Sequence, residues 1–112
     1  MYIFRPNLRT DEIFEELRPV LDSGWVGLGP KVSEFEKQLG EYLENNNVVA
    51  TNSCTSSLHM AVRFLNLKPG TRVLTTPLTF VSTNHVLLWE NLIPVFCDVN
   101  PRTGCLDPSS IK

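Results

Sequence analysis

Apolar residues recur with two different rhythms along this chain, and the change falls near residue 48. Before it, Ile13, Leu17, Val20 and Leu21 share one helical face, and Val32, Phe35, Leu39, Tyr42 and Leu43 share another. This spacing predicts one helix over residues 11–22 and a second from Pro30 to the "ENNN" run. Thr10 is the expected N-cap of the first helix, with Asp11 and Glu12 in the opening turn, where negative charge is favoured. Pro19 lacks an N–H and is expected to kink or shorten that helix. Between the two, "SGWVGLGP" carries three glycines and reads as a loop, and Pro30 suits a first helical position.

After residue 48, short apolar runs alternate with helical ones. "VVAT" (48–51), "RVLTT" (72–76) and "IPVFCDV" (93–99) read as strands, the last apolar on both faces as central parallel strands are. Leu58, Ala61, Val62 and Leu65 mark a helix after the first strand, and "TFVSTNHVLLWEN" (79–91) reads as a helix after the second. Strand, helix, strand, helix, strand in this order predicts βαβ crossovers and an α/β fold, a mainly parallel sheet with flanking helices. Asp107 and Pro108 suit the N-cap and first position of a further helix. A three-stranded parallel sheet ending on a helix start reads as an incomplete domain. Residues 1–29 divide off as an N-terminal helix and loop, and residues 30–112 carry the rest.

Charge narrows the possible partners. The chain has 112 residues, with 10 basic against 12 acidic side chains and a net charge of −2, so it carries no electrostatic footprint for nucleic acid or an anionic membrane. A hydrophobic share of 42% against 20% charged places it among globular rather than disordered chains. "MYIFRPNLRTDE" lacks the charged and apolar regions of a secretory leader, and no apolar run reaches the roughly 20 residues of a membrane span. Cys54, Cys97 and Cys105 are odd in number and form no CxxC pair. The expectation is free thiols in a reducing cytoplasm, with neither a disulfide framework nor a metal site.

In α/β sheets ligands sit beyond the carboxyl ends of the strands. Two loops lie there. "ATNSCTSSLHMAV" crowds Ser53, Cys54, Thr55, Ser56 and Ser57 at a helix N-terminus. Such a run either caps the helix or cradles an anion on its backbone N–H groups and dipole. It is not a Walker loop, since it has no lysine. "TPLTFVST" places Phe80 beside Thr79, Ser82, Thr83 and Asn84, either as a core aromatic or as a stacking face for a planar ring. His59 and His85 have no acidic or cysteine partner at a catalytic spacing and are expected to be structural. Asp98 is explained by turn chemistry with "NPRTG", and Cys54 has no neighbouring base to activate a nucleophile.

Four collinear blocks carry a resemblance: "SGWVGLGPKVSEFEKQLGEYL", "ATNSCTSSLHMAV", "KPGTRVLTTPLTFVSTNHVLL" and "IPVFCDVNPRTGCLDPSSI". In order and spacing they resemble the N-terminal part of the DegT/DnrJ/StrS-type aminotransferases, which use pyridoxal phosphate (PLP) on nucleotide sugars and related keto compounds. The resemblance implies the N-terminal portion of a fold-type I PLP-dependent transferase large domain, with residues 30–112 its first part. It implies that Thr55 and Ser56 hold the cofactor phosphate. Because the family often has a small residue where Ser56 stands, a backbone N–H is implied as the main donor there. Phe80 is implied to stack on the pyridine ring, and Trp25 and Gly29 to border the substrate pocket.

The family chemistry also needs a Schiff-base lysine and a carboxylate on the pyridinium nitrogen. Lys31, Lys37, Lys68 and Lys112 do not match the lysine motif, so no catalytic residue is assigned and this chain alone is expected to be inactive. The implied reaction passes nitrogen from an amino acid such as glutamate to a keto-sugar, in a homodimer with active sites at the subunit interface. Two alternatives remain. One is a PLP-dependent sugar dehydratase of the same family, in which that lysine is replaced. The other is a truncated, non-catalytic remnant that binds at most a phosphate or a partner chain.

Overall fold

The computed structural model describes residues 5–111, so the first four residues of the expected leaderless start and Lys112 lie outside the described part. The chain forms two compact units, Met1–Ala50 and Thr51–Lys112. The boundary expected at 29/30 falls inside the first unit.

The first unit holds helices α1 (Thr10–Ser23) and α2 (Pro30–Tyr42). Thr10 is not the cap of α1: Arg9 holds that position without a side-chain cap bond, and its guanidinium pairs with Glu12 at 3.0 Å instead. Nor does Pro19 shorten α1. The missing N–H removes one bond in the last turns, and the helix runs on to Ser23. It stops at Gly24, which takes φ +70° and donates its N–H to Leu21 O, a left-handed C-terminal turn that glycine enters without strain. Pro30 opens α2 as its pattern predicts. Lys31 on α2 donates to Glu16 on α1 at 2.7 Å and to Glu34 at 3.3 Å, tying the two helices across the glycine loop. The apolar stripes are not buried as expected. No residue of α1 is buried, and α2 buries only Gly40.

The second unit runs α3 (Cys54–Phe64), β1 (Arg72–Thr75), α4 (Ser82–Trp89), β2 (Ile93–Phe96) and a 3-10 turn (Pro108–Ser110). β1 and β2 pair in parallel, with Arg72 opposite Ile93 and Thr75 opposite Phe96, and α4 connects them. This is the expected βαβ unit. Ile93 N donates to Thr71 O and Cys97 N to Thr75 O, so the odd positions of β2 face β1. Pro94 lies in the opposite phase, where its missing N–H costs the ladder nothing.

Residues 48–51 are not a strand. A strand exists through its ladder, and the sheet of the described residues has two members, β1 and β2. The polar groups here find side chains instead: Ala50 N donates to Glu36 at 2.7 Å, and Thr51 Oγ1 donates to Ser53 O at 3.0 Å. The helix expected over 79–91 begins only at Ser82: Thr76 Oγ1 accepts from Leu78 N within the preceding loop, and Thr79 Oγ1 bonds to Thr83 Oγ1 in the first turn of α4. The strand expected over 93–99 ends at Phe96, and both ends of β2 are exposed. Asp107 does cap the last turn, accepting from Ser109 N at 3.0 Å.

The core lies in this second unit. Val86, at 1% exposure, and Leu87 project from α4, with Leu92 and Cys97 around β2. Thr75 and Ser82 are buried beside them at the carboxyl end of β1, the end from which the candidate site is built.

Candidate functional site

The first turn of α3 is a network of small hydroxyls. Ser53 is the N-cap in extended conformation, and its Oγ accepts from Ser56 N at 3.2 Å. Asn52 Oδ1 accepts from Ser56 Oγ at 2.7 Å and from Ser53 Oγ at 3.2 Å. Thr51 and Ser57 share a hydroxyl–hydroxyl bond of 2.5 Å. Capping is therefore real, and Ser53 performs it.

The cap leaves donors over. Among the described residues, the N–H groups of Cys54 and Thr55 and the Oγ1 of Thr55 have no partner, while both the N–H and the hydroxyl of Ser56 are engaged. The first turn of α3 contains no acidic residue. Open N–H groups at the positive end of an 11-residue helix, with no acidic residue in the same turn, are the donor set an anion needs.

Phe80 stands in the loop from β1 to α4. Phe80 is 75% exposed among the described residues. The loop beneath it is anchored at the carboxyl end of β1. Thr75 Oγ1 donates to Asn84 Oδ1 at 2.6 Å, and Asn84 Nδ2 donates to Thr76 O at 3.2 Å. One amide thus ties the strand, the loop and α4 together below Phe80. Thr55, Ser56 and Phe80 all belong to the second unit, the first two in the opening turn of α3 and Phe80 in the loop that follows β1.

Trp25 and Gly29 belong to the first unit, where they meet. Trp25 Nε1 donates to Leu28 O at 2.6 Å, closing the glycine loop. The two residues border a cleft of about 360 Å³ whose wall includes Pro19, Val20 and Val26.

His59 departs from its expected isolation. Its Nε2 lies 2.7 Å from Glu90 Oε1, and Arg63 Nη1 donates to Glu90 Oε2 at 2.8 Å. Trp89 meets the His59 ring edge-on, with centroids 5.2 Å apart. The Arg63 guanidinium, and then the His59 ring, hold the Glu90 carboxyl below the ordinary carboxylate range. This cluster was missed in the sequence because its partners lie 31 positions apart. The usable signal was the i, i+4 spacing of His59 and Arg63 on one helix face. His85 is exposed, and Asp98 serves its turn by accepting from Val99 N at 2.8 Å. All three cysteines are free, and no group of three or more His, Cys, Asp or Glu side chains is placed to hold a metal among the described residues.

A family model described as the DegT/DnrJ/EryC1/StrS aminotransferase family matches residues 7–112. The spore coat polysaccharide biosynthesis protein SpsC of Bacillus subtilis is 37% identical over 107 residues, covering 96% of this chain and 27% of that protein. The dTDP-4-dehydro-2,3,6-trideoxy-D-glucose 4-aminotransferase of Saccharopolyspora spinosa is 36% identical over 103 residues, covering 90% of this chain and 26% of that enzyme. The crystal structure of NtdA from Bacillus subtilis with its bound cofactor PMP superposes with a TM-score of 0.82 at 34% identity, covering 91% of this chain and 23% of that one. The chain thus has the α/β fold of the corresponding segment, and spans about a quarter of the length of these relatives. Matched from residue 7 to its last residue, the chain belongs to the DegT/DnrJ/EryC1/StrS aminotransferase family.

Proposed function

We propose that these residues form the cofactor-phosphate and ring-face portion of a PLP-dependent aminotransferase that acts on a keto-sugar. The observation that carries this reading is the first turn of α3, where the N–H groups of Cys54 and Thr55 and the Thr55 hydroxyl have no partner among the described residues and the turn itself holds no acidic residue. These donors fit a phosphate dianion. Thr55 supplies a hydroxyl and a backbone N–H to it. Ser56 fixes the turn through Asn52 and Ser53, and offers its own N–H if the Ser53 cap yields. Phe80 offers an exposed ring face beside the end of β1. The bound cofactor supplies the carbonyl that accepts an amino group and the ring that withdraws the resulting charge.

The names of the relatives support a sugar substrate: one works in polysaccharide synthesis and another on a dTDP-linked keto-sugar. We assign glutamate as the amino donor, a homodimer as the working state, and Trp25 and Gly29 to the border of the sugar pocket. The cytoplasm is the compartment this chemistry suits, and no helix of the described residues is long and apolar enough to cross a membrane.

The test uses the protein expressed from its whole reading frame. Supplied with glutamate and a panel of dTDP-linked and phosphorylated keto-sugars, it is expected to release 2-oxoglutarate with at least one of them. Elimination of a sugar hydroxyl without nitrogen transfer would instead identify a dehydratase.

A further inference from the structure

Thr55, His59 and Arg63 follow one another at four-residue intervals, so they form a single stripe along α3 that drifts by about 40° per step. The lower two members of the stripe end on one carboxylate. Glu90, at the C-terminal end of α4, accepts from His59 with one oxygen and from Arg63 with the other. Its side chain is only 16% exposed, and Trp89 packs on the edge of the His59 ring. A helix held by two side chains one turn apart, gripping the two oxygens of one partly buried carboxylate, is restrained in rotation about its own axis as well as in position. Thr55 lies on the same helix, so its Oγ1 moves with that rotation. At its other end α4 is fixed by Asn84 to Thr75 and Thr76, directly below the loop of Phe80.

We propose that Glu90 is a positioning residue for the cofactor: by clamping His59 and Arg63 it sets the rotation of α3, and so aims Thr55 at the phosphate in register with the Phe80 ring. This rests on the reading of the α3 N-terminus as the phosphate site. Glu90 touches no reacting group; it acts through α3. The cofactor chemistry implies a simple asymmetry. A clamp that aims phosphate donors matters to ligands that carry the phosphate and is indifferent to those that lack it.

The experiment measures calorimetric affinities of the protein for pyridoxamine 5'-phosphate and for pyridoxamine, with circular dichroism confirming the fold of each variant. Glu90→Leu is expected to weaken pyridoxamine 5'-phosphate on the order of five-fold, within the range of coupling seen among networked residues, and to leave pyridoxamine unchanged. Glu90→Gln is expected to restore most of the loss, since its amide oxygen accepts from Arg63 while its NH2 donates to the neutral tautomer of His59. In a Thr55→Val background the Glu90→Leu effect is expected to shrink without vanishing, since the N–H groups of Cys54 and Thr55 ride on the same helix. An equal loss for both ligands, no loss, or full additivity with Thr55→Val would overturn the proposal while leaving the phosphate site standing. An unchanged phosphate-ligand affinity in Thr55→Val alone would instead overturn the phosphate reading, and the proposal with it. If Glu90→Leu does not fold, Arg63→Gln and His59→Gln each remove one arm of the clamp, and the same two-ligand comparison decides.

Discussion

The indole of Trp25 occupies the space where a side chain at Gly29 would begin. A Cβ built on Gly29 would lie 2.5 Å from Trp25 Cδ1 and 2.6 Å from its Nε1. The backbone of Gly29 is extended, with φ −162°, a conformation open to any residue. Glycine is needed here for room, not for its torsion angles. Gly29→Ala must therefore push the ring aside and break the 2.6 Å bond from Nε1 to Leu28 O. The expected cost is about 0.5–1.5 kcal/mol. A red-shifted tryptophan emission that persists in a Trp89→Phe background would locate the change at Trp25. An unchanged spectrum would mean the loop adjusts without releasing the ring.

Ser53 and Thr55 separate capping from binding. Ser53→Ala removes the oxygen that accepts from Ser56 N and is expected to cost about 1 kcal/mol of stability. Thr55→Val removes a hydroxyl that no described residue uses, so the fold should tolerate it, while affinity for pyridoxamine 5'-phosphate falls by roughly 1.5–3 kcal/mol. Thermal melting and calorimetric titration of the two variants check the split. A loss of stability without loss of affinity in Thr55→Val would reduce Thr55 to part of the cap.

The elements of the chain were legible where local chemistry decides them. Pro30 opens α2, Asp107 caps the last turn, and β1 and β2 fall on their apolar runs, because each depends on residues a few positions away. Residues 48–51 carry the same apolar signal and form no strand, since a ladder requires a partner that no local pattern specifies. The stripe of Ile13, Leu17 and Leu21 predicted the α1 helix correctly but not its burial, for periodicity names a face without naming what covers it. At the candidate site, the hydroxyl-rich turn was visible and the division of labour within it was not. That Ser53 consumes the Ser56 N–H while Thr55 stays open depends on rotamers and on Asn52. Glu90 was hidden for a different reason: its partners come from another helix.

Phe80 is 75% exposed, so its removal leaves little packing to lose. Phe80→Ala should leave the melting temperature nearly unchanged while weakening the phosphate ligand by about 0.5–1.5 kcal/mol, the worth of an aromatic pair beyond its buried area. Phe80→Trp should retain binding, because a stacking face requires only a ring. A drop in melting temperature with binding intact would return Phe80 to a purely structural role.

Acid should loosen the α3–α4 contact. The Glu90 carboxyl is held below its ordinary value of 4.5 by Arg63 and His59. A carboxylate with a depressed folded-state value contributes stability that is fully present above 4.5 and is lost as pH falls through the lower value. Urea midpoints measured downward from neutral pH should therefore decline more steeply in the parent than in Glu90→Gln, which has no proton to gain. Parallel pH profiles would show that the carboxylate contributes no titrating stability.

The 112 residues by themselves are expected to bind the phosphate ligand without transferring nitrogen. Transamination requires an uncharged lysine amine to exchange with that of the substrate, and the lysines whose contacts are seen are committed to carboxylates. Lys31 donates to Glu16 and Glu34, and these bonds, first the one to Glu16, push its ammonium above the ordinary range and keep it charged. Lys37 lies 3.8 Å from Glu41 on the exposed face of α2. Purified and saturated with PLP and glutamate, the chain should produce no 2-oxoglutarate above a cofactor-only control. Lys31→Arg should leave that result unchanged. Turnover by the isolated chain that disappears in Lys31→Arg would place the missing amine on α2 after all.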